Sequence, residues 1–310
     1  LERMYRINKT GFTQAFESVY PDINQNAVAQ VWHERLHYKQ EEISWGKKNE
    51  LLFVVVTALT AGLLAKVPEI FSIDEERFYS RNIAFLVFPF LIAYFSWKNK
   101  QTVRQLILPF ITILLSVIYI NILPGKKETD AIILACIHLP FMLWAIAGYT
   151  FIGGDLKEAQ KKIGYLRFNG DFVVMSALIV LSGIIFSGLT IGLFDIIHVD
   201  ITKSYFQYIV IFGLAAVPIV GTYLVLNNPQ LVNKISPVIA RIFTPFVLVT
   251  LLIFVSSVMY TGNYPYDDRN ALMIFNGLLI GVMALILFSV SEVTKNATSR
   301  INLGILLGLS

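Results

Sequence analysis

An all-α, polytopic transmembrane helical bundle of about eight spans plus the start of a ninth, with its N-terminus cytoplasmic, is predicted by three features of this sequence. Apolar residues fill 55% of its 310 positions and charged residues only 15%, and the mean hydropathy is +0.64. A soluble domain built around one buried core does not reach that balance. The charges are bunched between apolar runs instead of being spread along amphipathic faces, as loops at two membrane surfaces require. Finally, Lys and Arg are about twice as frequent in the loops on one side, among them Lys47, Lys98, Lys100, Lys161 and Lys234, as on the other, among them Arg77, Lys126 and Lys203. That asymmetry marks cytoplasmic loops and persists along the chain.

Residues 1–46 form a polar cytoplasmic segment. Val28, Trp32, Leu36 and Ile43 recur at helical spacing, which predicts a surface-lying amphipathic helix over Asn26–Ile43. Gly46 supplies a stop signal, and Lys47 and Lys48 mark the membrane entrance. Residues 47–293 hold the bundle, with runs at Leu51–Ala65, Asn82–Trp97, Leu106–Leu123, Ala131–Ile152, Phe172–Phe194, Tyr208–Leu226, Val238–Tyr260 and Ala271–Val290. At about 1.5 Å per residue most of these cross a hydrocarbon core of roughly 30 Å. The first can extend to Phe71 if the Lys66 stem snorkels, with Pro68 and Glu69 making that end irregular. Residues 294–310 form a cytoplasmic loop and the start of a truncated further helix at Leu303–Leu309. With a first residue that is not Met, this predicts a fragment of a longer chain.

The net charge of +4 lies almost wholly in loops, and no nucleic-acid module is visible, so the expected partner is the lipid bilayer and not nucleic acid. The single cysteine, Cys136, lies inside an apolar run, which rules out an intramolecular disulfide.

Several patterns carry potential chemistry. His33-Glu34-Arg35-Leu36-His37 fits H-E-x-x-H, in which two histidines one turn apart hold zinc and the glutamate polarises a bound water. Arg35 and Lys39 place positive charge beside that metal, and no third ligand is evident, since Glu41 and Glu42 follow too closely on the same helix. A solvated helix face is the simpler reading. Asp195, His198 and Asp200 offer ligand types for a divalent ion, but a polar outer loop explains them as well.

Ionisable groups inside the runs are scarce, His138 being the clear case, which argues against an ion-coupled transporter with its buried carboxylates. Prolines are more suggestive. Pro89, Pro109, Pro140, Pro218 and Pro245 fall inside or near the middle of five runs, where each removes a backbone donor. The stretch Gly213 to Gly221, with Pro218 within it, is the best candidate for a broken helix, and Gly213, Pro218, Gly221, His138 and Asn276 are the candidate cavity-lining residues. Gly188/Gly192, Gly277/Gly281 and Gly304/Gly308 form G-x-x-x-G pairs that allow close helix approach, within one chain or in a homo-oligomer.

From about Leu166 to Glu292 the sequence resembles a bacterial inner-membrane family catalogued only as a domain of unknown function, number 4153. The likeness rests on Arg167-Phe-Asn-Gly-Asp171, Tyr208-Ile-Val-Ile-Phe-Gly-Leu-Ala-Ala-Val-Pro218, Asn228-Pro-Gln-Leu-Val-Asn-Lys-Ile-Ser-Pro237 and Pro265-Tyr-Asp-Asp-Arg269. It implies a multi-pass protein of the bacterial cytoplasmic membrane and transfers no activity and no catalytic residue. The expected role is therefore a permease-like or envelope-associated membrane component that needs no cofactor, alone or with a membrane-complex partner. The alternatives are a membrane enzyme using zinc at His33, Glu34 and His37, or a sensor or assembly subunit.

Overall fold

A computed structural model describes residues 1–37, 46–123, 130–228, 235–262, 269, 272–273 and 275–283. Every regular element among them is helical, and the chain separates by its internal contacts into two units, Leu1–Ser44 and Trp45–Ser310.

The N-terminal unit contains more helix than its sequence predicts. Helices α1 (Glu2–Ile7) and α2 (Lys9–Ile23) precede α3 (Ala27–His37). Asn8 ends α1 and starts α2, its side-chain oxygen accepting from the Gly11 N–H at 2.9 Å, the usual satisfaction of a first-turn donor. The buried face of α3 is set by Ala29 and Trp32, which meet Phe16 of α2, with Tyr5, Phe12, Tyr20 and Leu36 packed around them. Val28, expected on the apolar face, is exposed, whereas Trp32 and Leu36 do face the core. Ile43 lies outside the described residues. The partner of the α3 stripe includes the helices just upstream, which a search for membrane-facing periodicity does not anticipate.

The second unit is an all-α membrane bundle. Among the described residues, seven of its helical stretches are long and apolar enough to cross a bilayer: Lys48–Ala65, Glu75–Lys98, Val103–Ile122, Asp130–Phe151, Ala159–Ile196, Thr202–Asn227 and Ile242–Thr261. They correspond in order to the first seven predicted runs. The eighth run, 271–290, is described only in part, with helix over 275–283, and the predicted ninth lies outside the described residues.

The boundaries differ from the sequence reading in instructive ways. The first span, α4 (Lys48–Ala65), stops at Lys66, and a separate turn, α5 (Val67–Ile70), carries Pro68 at its start. The second span is assembled from α6 (Glu75–Asn82), a 3₁₀ turn at Ile83–Leu86 and α7 (Phe88–Lys98). Pro89 therefore lies in the first turn of α7, where its missing N–H breaks no helical bond. The other four prolines lie within helices: Pro109 in α8 (Val103–Ile122), Pro140 in α9 (Asp130–Phe151), Pro218 in α12 (Ile211–Asn227) and Pro245 in α13 (Ile235–Thr261). Helix α10 (Ala159–Ile196) begins well before the apolar run at Phe172. Its 38 residues reach about 57 Å at 1.5 Å per residue, nearly twice the hydrocarbon thickness. The sixth span joins α11 (Thr202–Ser204), a π-helical turn at Tyr205–Val210 and α12 (Ile211–Asn227); α13 is Ile235–Thr261.

Close packing concentrates on α12. A Cβ at Gly62 of α4 would overlap the Phe212 ring, and one at Gly221 would come within 2.9 Å of the Ser176 hydroxyl of α10. Glycines thus let α4 and α10 approach α12. The G-x-x-x-G glycines Gly188 and Gly277 instead face open space, and Gly281 makes only ordinary contact with Leu189. Side chains such as Leu52, Val56, Leu63, Leu115, Ile122 and Ile184 project outward from the helices, an apolar exterior that a bilayer covers.

Candidate functional site

The most developed polar site of the bundle gathers at the end of α4 that begins with Lys48. Glu50, in the first turn of α4, is only 6% exposed. Its Oε1 accepts from the Tyr94 hydroxyl at 2.5 Å, the Lys98 ammonium at 3.0 Å and the Asn227 amide at 2.9 Å. Three spans are joined in this way: α4, α7 and α12. Lys98 also donates to Asn227 Oδ1 at 3.2 Å, and the Asn227 amide also donates to the Tyr223 carbonyl. A buried carboxylate is tolerable when a cation and several donors replace its water, and Glu50 has both. Gly46 lies directly over it. Its φ is +58°, and a Cβ there would meet Glu50 Oε2 at 2.7 Å, so a side chain is opposed by both backbone conformation and space.

Beside this cluster a crevice of about 1100 Å³ separates α7 from α8. Lys47, Lys98 and Lys100 stand at its polar end with Glu50, giving a surplus of positive charge. Ile92, Ala93, Leu106, Pro109, Phe110 and Ile113 form apolar wall. Two of the prolines, Pro89 and Pro109, line it. Ser96 Oγ and Gln101 Oε1 are buried in this lining and lack a hydrogen-bond partner, a condition that invites a ligand or water.

The link between α7 and α8 is firmly anchored. Asn99 donates to the carbonyls of Thr150 and Phe151 at 2.9 Å each, Gln101 to Thr150 at 3.0 Å and Gln105 to Gly153 at 2.9 Å. Asn99 and Gln101 thus satisfy carbonyls at the end of α9, which no residue of that helix can reach, and Gln105 holds the turn just beyond it. Gln105 Oε1 in turn accepts from the Thr102 N–H that opens α8. The crevice mouth is thereby positioned by three helices.

None of the five residues expected from sequence to line a cavity lines this crevice. His138 is exposed on α9, its Nδ1 bonded to the Leu134 carbonyl at 2.8 Å. Gly213 and Asn276 are exposed, Pro218 is half-buried, and Gly221 is a packing contact. In the sequence Glu50 lies one residue ahead of the first apolar run. The structure buries it, together with Lys66 and Arg81 at the other end of the bundle.

Asp195, His198 and Asp200 do not converge. Asp200 accepts from the Thr202 N–H at 3.0 Å, which holds its carboxyl below the usual range, and the His198 N–H bonds to the Asp195 carbonyl as the chain leaves α10. His33 and His37, by contrast, do come together. Their companion is Glu17 of α2, and Glu34 is exposed outside the group.

Among the described residues, seven helices long and apolar enough to span a bilayer define the class: an α-helical, multi-pass membrane protein. Comparison with family models, curated proteins and solved structures gives no match for this chain.

Proposed function

We propose that the chain is a multi-pass protein of the bacterial cytoplasmic membrane that binds an anionic phospholipid of the cytoplasmic leaflet in the crevice between α7 and α8. The observation that carries this reading is one cavity combining a lysine-rich mouth, two buried polar atoms without partners and a long apolar wall. A headgroup phosphate takes the ammonium donors of Lys47 and Lys100 and the Ser96 hydroxyl. A glycerol hydroxyl donates to Gln101 Oε1. The acyl chain lies along Ile92, Leu106, Phe110 and Ile113. Lys98, already held by Glu50 and Asn227, adds field more than direct contact.

Orientation is supported by the lysine and arginine bias of this side of the bundle, and anionic lipid there attracts basic residues by about 1 kcal/mol each. The likeness to a bacterial inner-membrane family supports the compartment. A lipid-binding role of this kind needs no catalytic group and suits a permease-like or envelope-associated component.

The test is the thermal stability of delipidated protein in neutral detergent, with phosphatidylglycerol or phosphatidylcholine added back. Phosphatidylglycerol is expected to raise Tm by several degrees and phosphatidylcholine by much less, and Lys47→Ala/Lys100→Ala is expected to remove the difference. Equal effects of the two lipids on the wild type would contradict the proposal.

A further inference from the structure

The N-terminal unit holds a second cluster that neither the bundle nor its crevice uses. We propose that Glu17, His33 and His37 bind a single Zn²⁺ ion that clasps α2 to α3.

Geometry carries the inference. One ligand atom from each of the three side chains lies within 4.8 Å of the other two. Around tetrahedral zinc, ligands about 2.0–2.1 Å from the metal sit roughly 3.3 Å from one another. Closing from the observed spacing needs small side-chain adjustments and no movement of either helix. His33 and His37 are one turn apart on α3, so both project toward the same side, and Glu17 comes from the neighbouring helix of the same unit.

Hydrogen-bond accounting points the same way. His37 Nδ1 lies 2.9 Å from the His33 carbonyl. A carbonyl only accepts, so Nδ1 carries the hydrogen and the lone pair of a neutral His37 is on Nε2. That Nε2 is 3.0 Å from Glu17 Oε1, and a carboxylate oxygen is also an acceptor. An imidazole nitrogen and a carboxylate oxygen 3.0 Å apart have the spacing of two ligands on one cation. The imidazole of His33 beside them supplies a third nitrogen ligand. The Nδ1 bond to a carbonyl is also the arrangement that orients metal-binding histidines. His33 is itself held in place, its ring stacked on Tyr20 at 3.9 Å and against His37 at 4.0 Å.

Arg35, which the sequence places beside the metal, is turned elsewhere. Its guanidinium pairs with Glu2 at 2.5 and 3.2 Å and lies over Trp32 and Tyr5. Of the two charges that argue against zinc, that of Arg35 is thus neutralised by another partner, and Lys39 lies outside the described residues. Two imidazoles and one carboxylate suit zinc among available divalent ions and leave a fourth position for water. Glu34 is not a ligand, and the site acts as a staple between two helices of a small unit with little core of its own.

Metal content of the full chain, purified in detergent and dialysed against ZnCl₂, tests this directly. One zinc per chain is expected for the wild type and for Glu34→Ala, and none for His33→Ala/His37→Ala. The near-isosteric Glu17→Gln is expected to weaken binding more than tenfold while keeping the wild-type elution volume and helical signal, which separates loss of a ligand from loss of fold. Co²⁺ substitution should give the visible absorption of a four-coordinate ion in the wild type and lose it in Glu17→Gln. Absence of stoichiometric zinc from the wild type, retention in the double variant, or dependence on Glu34 in place of Glu17 would each overturn the assignment.

Discussion

The two ends of the membrane bundle bury charge by different means. At the Arg81 end, each buried cation donates to backbone carbonyls at a helix end or turn. Arg81 donates from one Nη to the carbonyls of Ile120 and Leu123 at 3.1 and 2.7 Å, closing the end of α8. Lys66 donates to the Gln207 carbonyl in the π-helical turn at 3.0 Å, pairs with Glu69 and lies over the Tyr208 ring. Beside Arg81, Asn82 and Asn121 exchange amide hydrogen bonds at 3.0 and 2.9 Å. Helix termini offer carbonyls without intrahelical partners, and cations there complete the ladder and complement the helix dipole. At the Glu50 end the partners are side chains from three helices, additional lysines remain beside them, and buried Ser96 and Gln101 atoms lack partners. The first arrangement closes on itself, whereas the second leaves bonding capacity facing a crevice. One end reads as architecture and the other as a binding site.

Substitutions should separate these roles. The largest loss of stability is expected for Arg81→Met, which strands two carbonyls in a buried setting, at about 1–3 kcal/mol for each group left unsatisfied. Thermal or denaturant unfolding checks this, and the response to phosphatidylglycerol should survive. Tyr94→Phe should cost about 1–2 kcal/mol by removing one donor to a buried carboxylate. It should leave the ion pair of Glu50 with Lys98 in place. Gly46→Ala should be destabilising by about 1 kcal/mol from its positive φ alone, with a further penalty from contact with Glu50. A fall in the lipid response alongside that loss would tie the glycine to the crevice mouth. Lys47→Ala/Lys100→Ala should leave stability in detergent nearly unchanged and abolish the preference for anionic lipid.

The smallest effect belongs to the N-terminal unit. Arg6 first, and then Arg35, hold the Glu2 carboxyl below the usual glutamate range. Its folded pKa is lowered, so its contribution is fully present above the ordinary glutamate pKa and is lost as pH falls through the lowered value. The protection of α1 amides, relative to the intrinsic exchange rate at each pH, should therefore fall below pH 4.5, and Glu2→Gln should show the reduced protection already at neutral pH.

How far this was legible in the sequence depends on the range of the interactions. Hydropathy is local, and it located the seven described spans in order. Length alone did not reveal the beginning of α10 at Ala159, because Lys161, Lys162 and Arg167 make its first turns polar while remaining good helix formers. The polar sites depend on long-range pairing. Glu50 finds Tyr94 and Lys98 44 and 48 positions away and Asn227 177 positions away, and no spacing rule connects them. A carboxylate one residue ahead of an apolar run was the available signal, and it resembled an ordinary membrane boundary. Pro89 and Pro109 line the crevice and the candidates Gly213, Pro218 and Gly221 do not, because glycine and proline also serve packing. In the N-terminal unit the H-E-x-x-H pattern groups His33 and His37 with Glu34, whereas the structure brings Glu17 beside the two histidines. The third side chain comes from a helix that the sequence reading did not anticipate.

If the Glu50 end of the bundle carries a lipid and the Arg81 end does not, as proposed, lipid retention should depend on the lysines of the crevice mouth. Native mass spectrometry of protein released from mild detergent counts retained phospholipid directly, comparing wild type with Lys47→Ala/Lys100→Ala and with the exposed Arg77→Ala at the opposite end. One anionic phospholipid per chain in the wild type and in Arg77→Ala, absent from the lysine double variant, is the expected result. Retention that is indifferent to the lysines, or that depends on Arg77, would contradict the account.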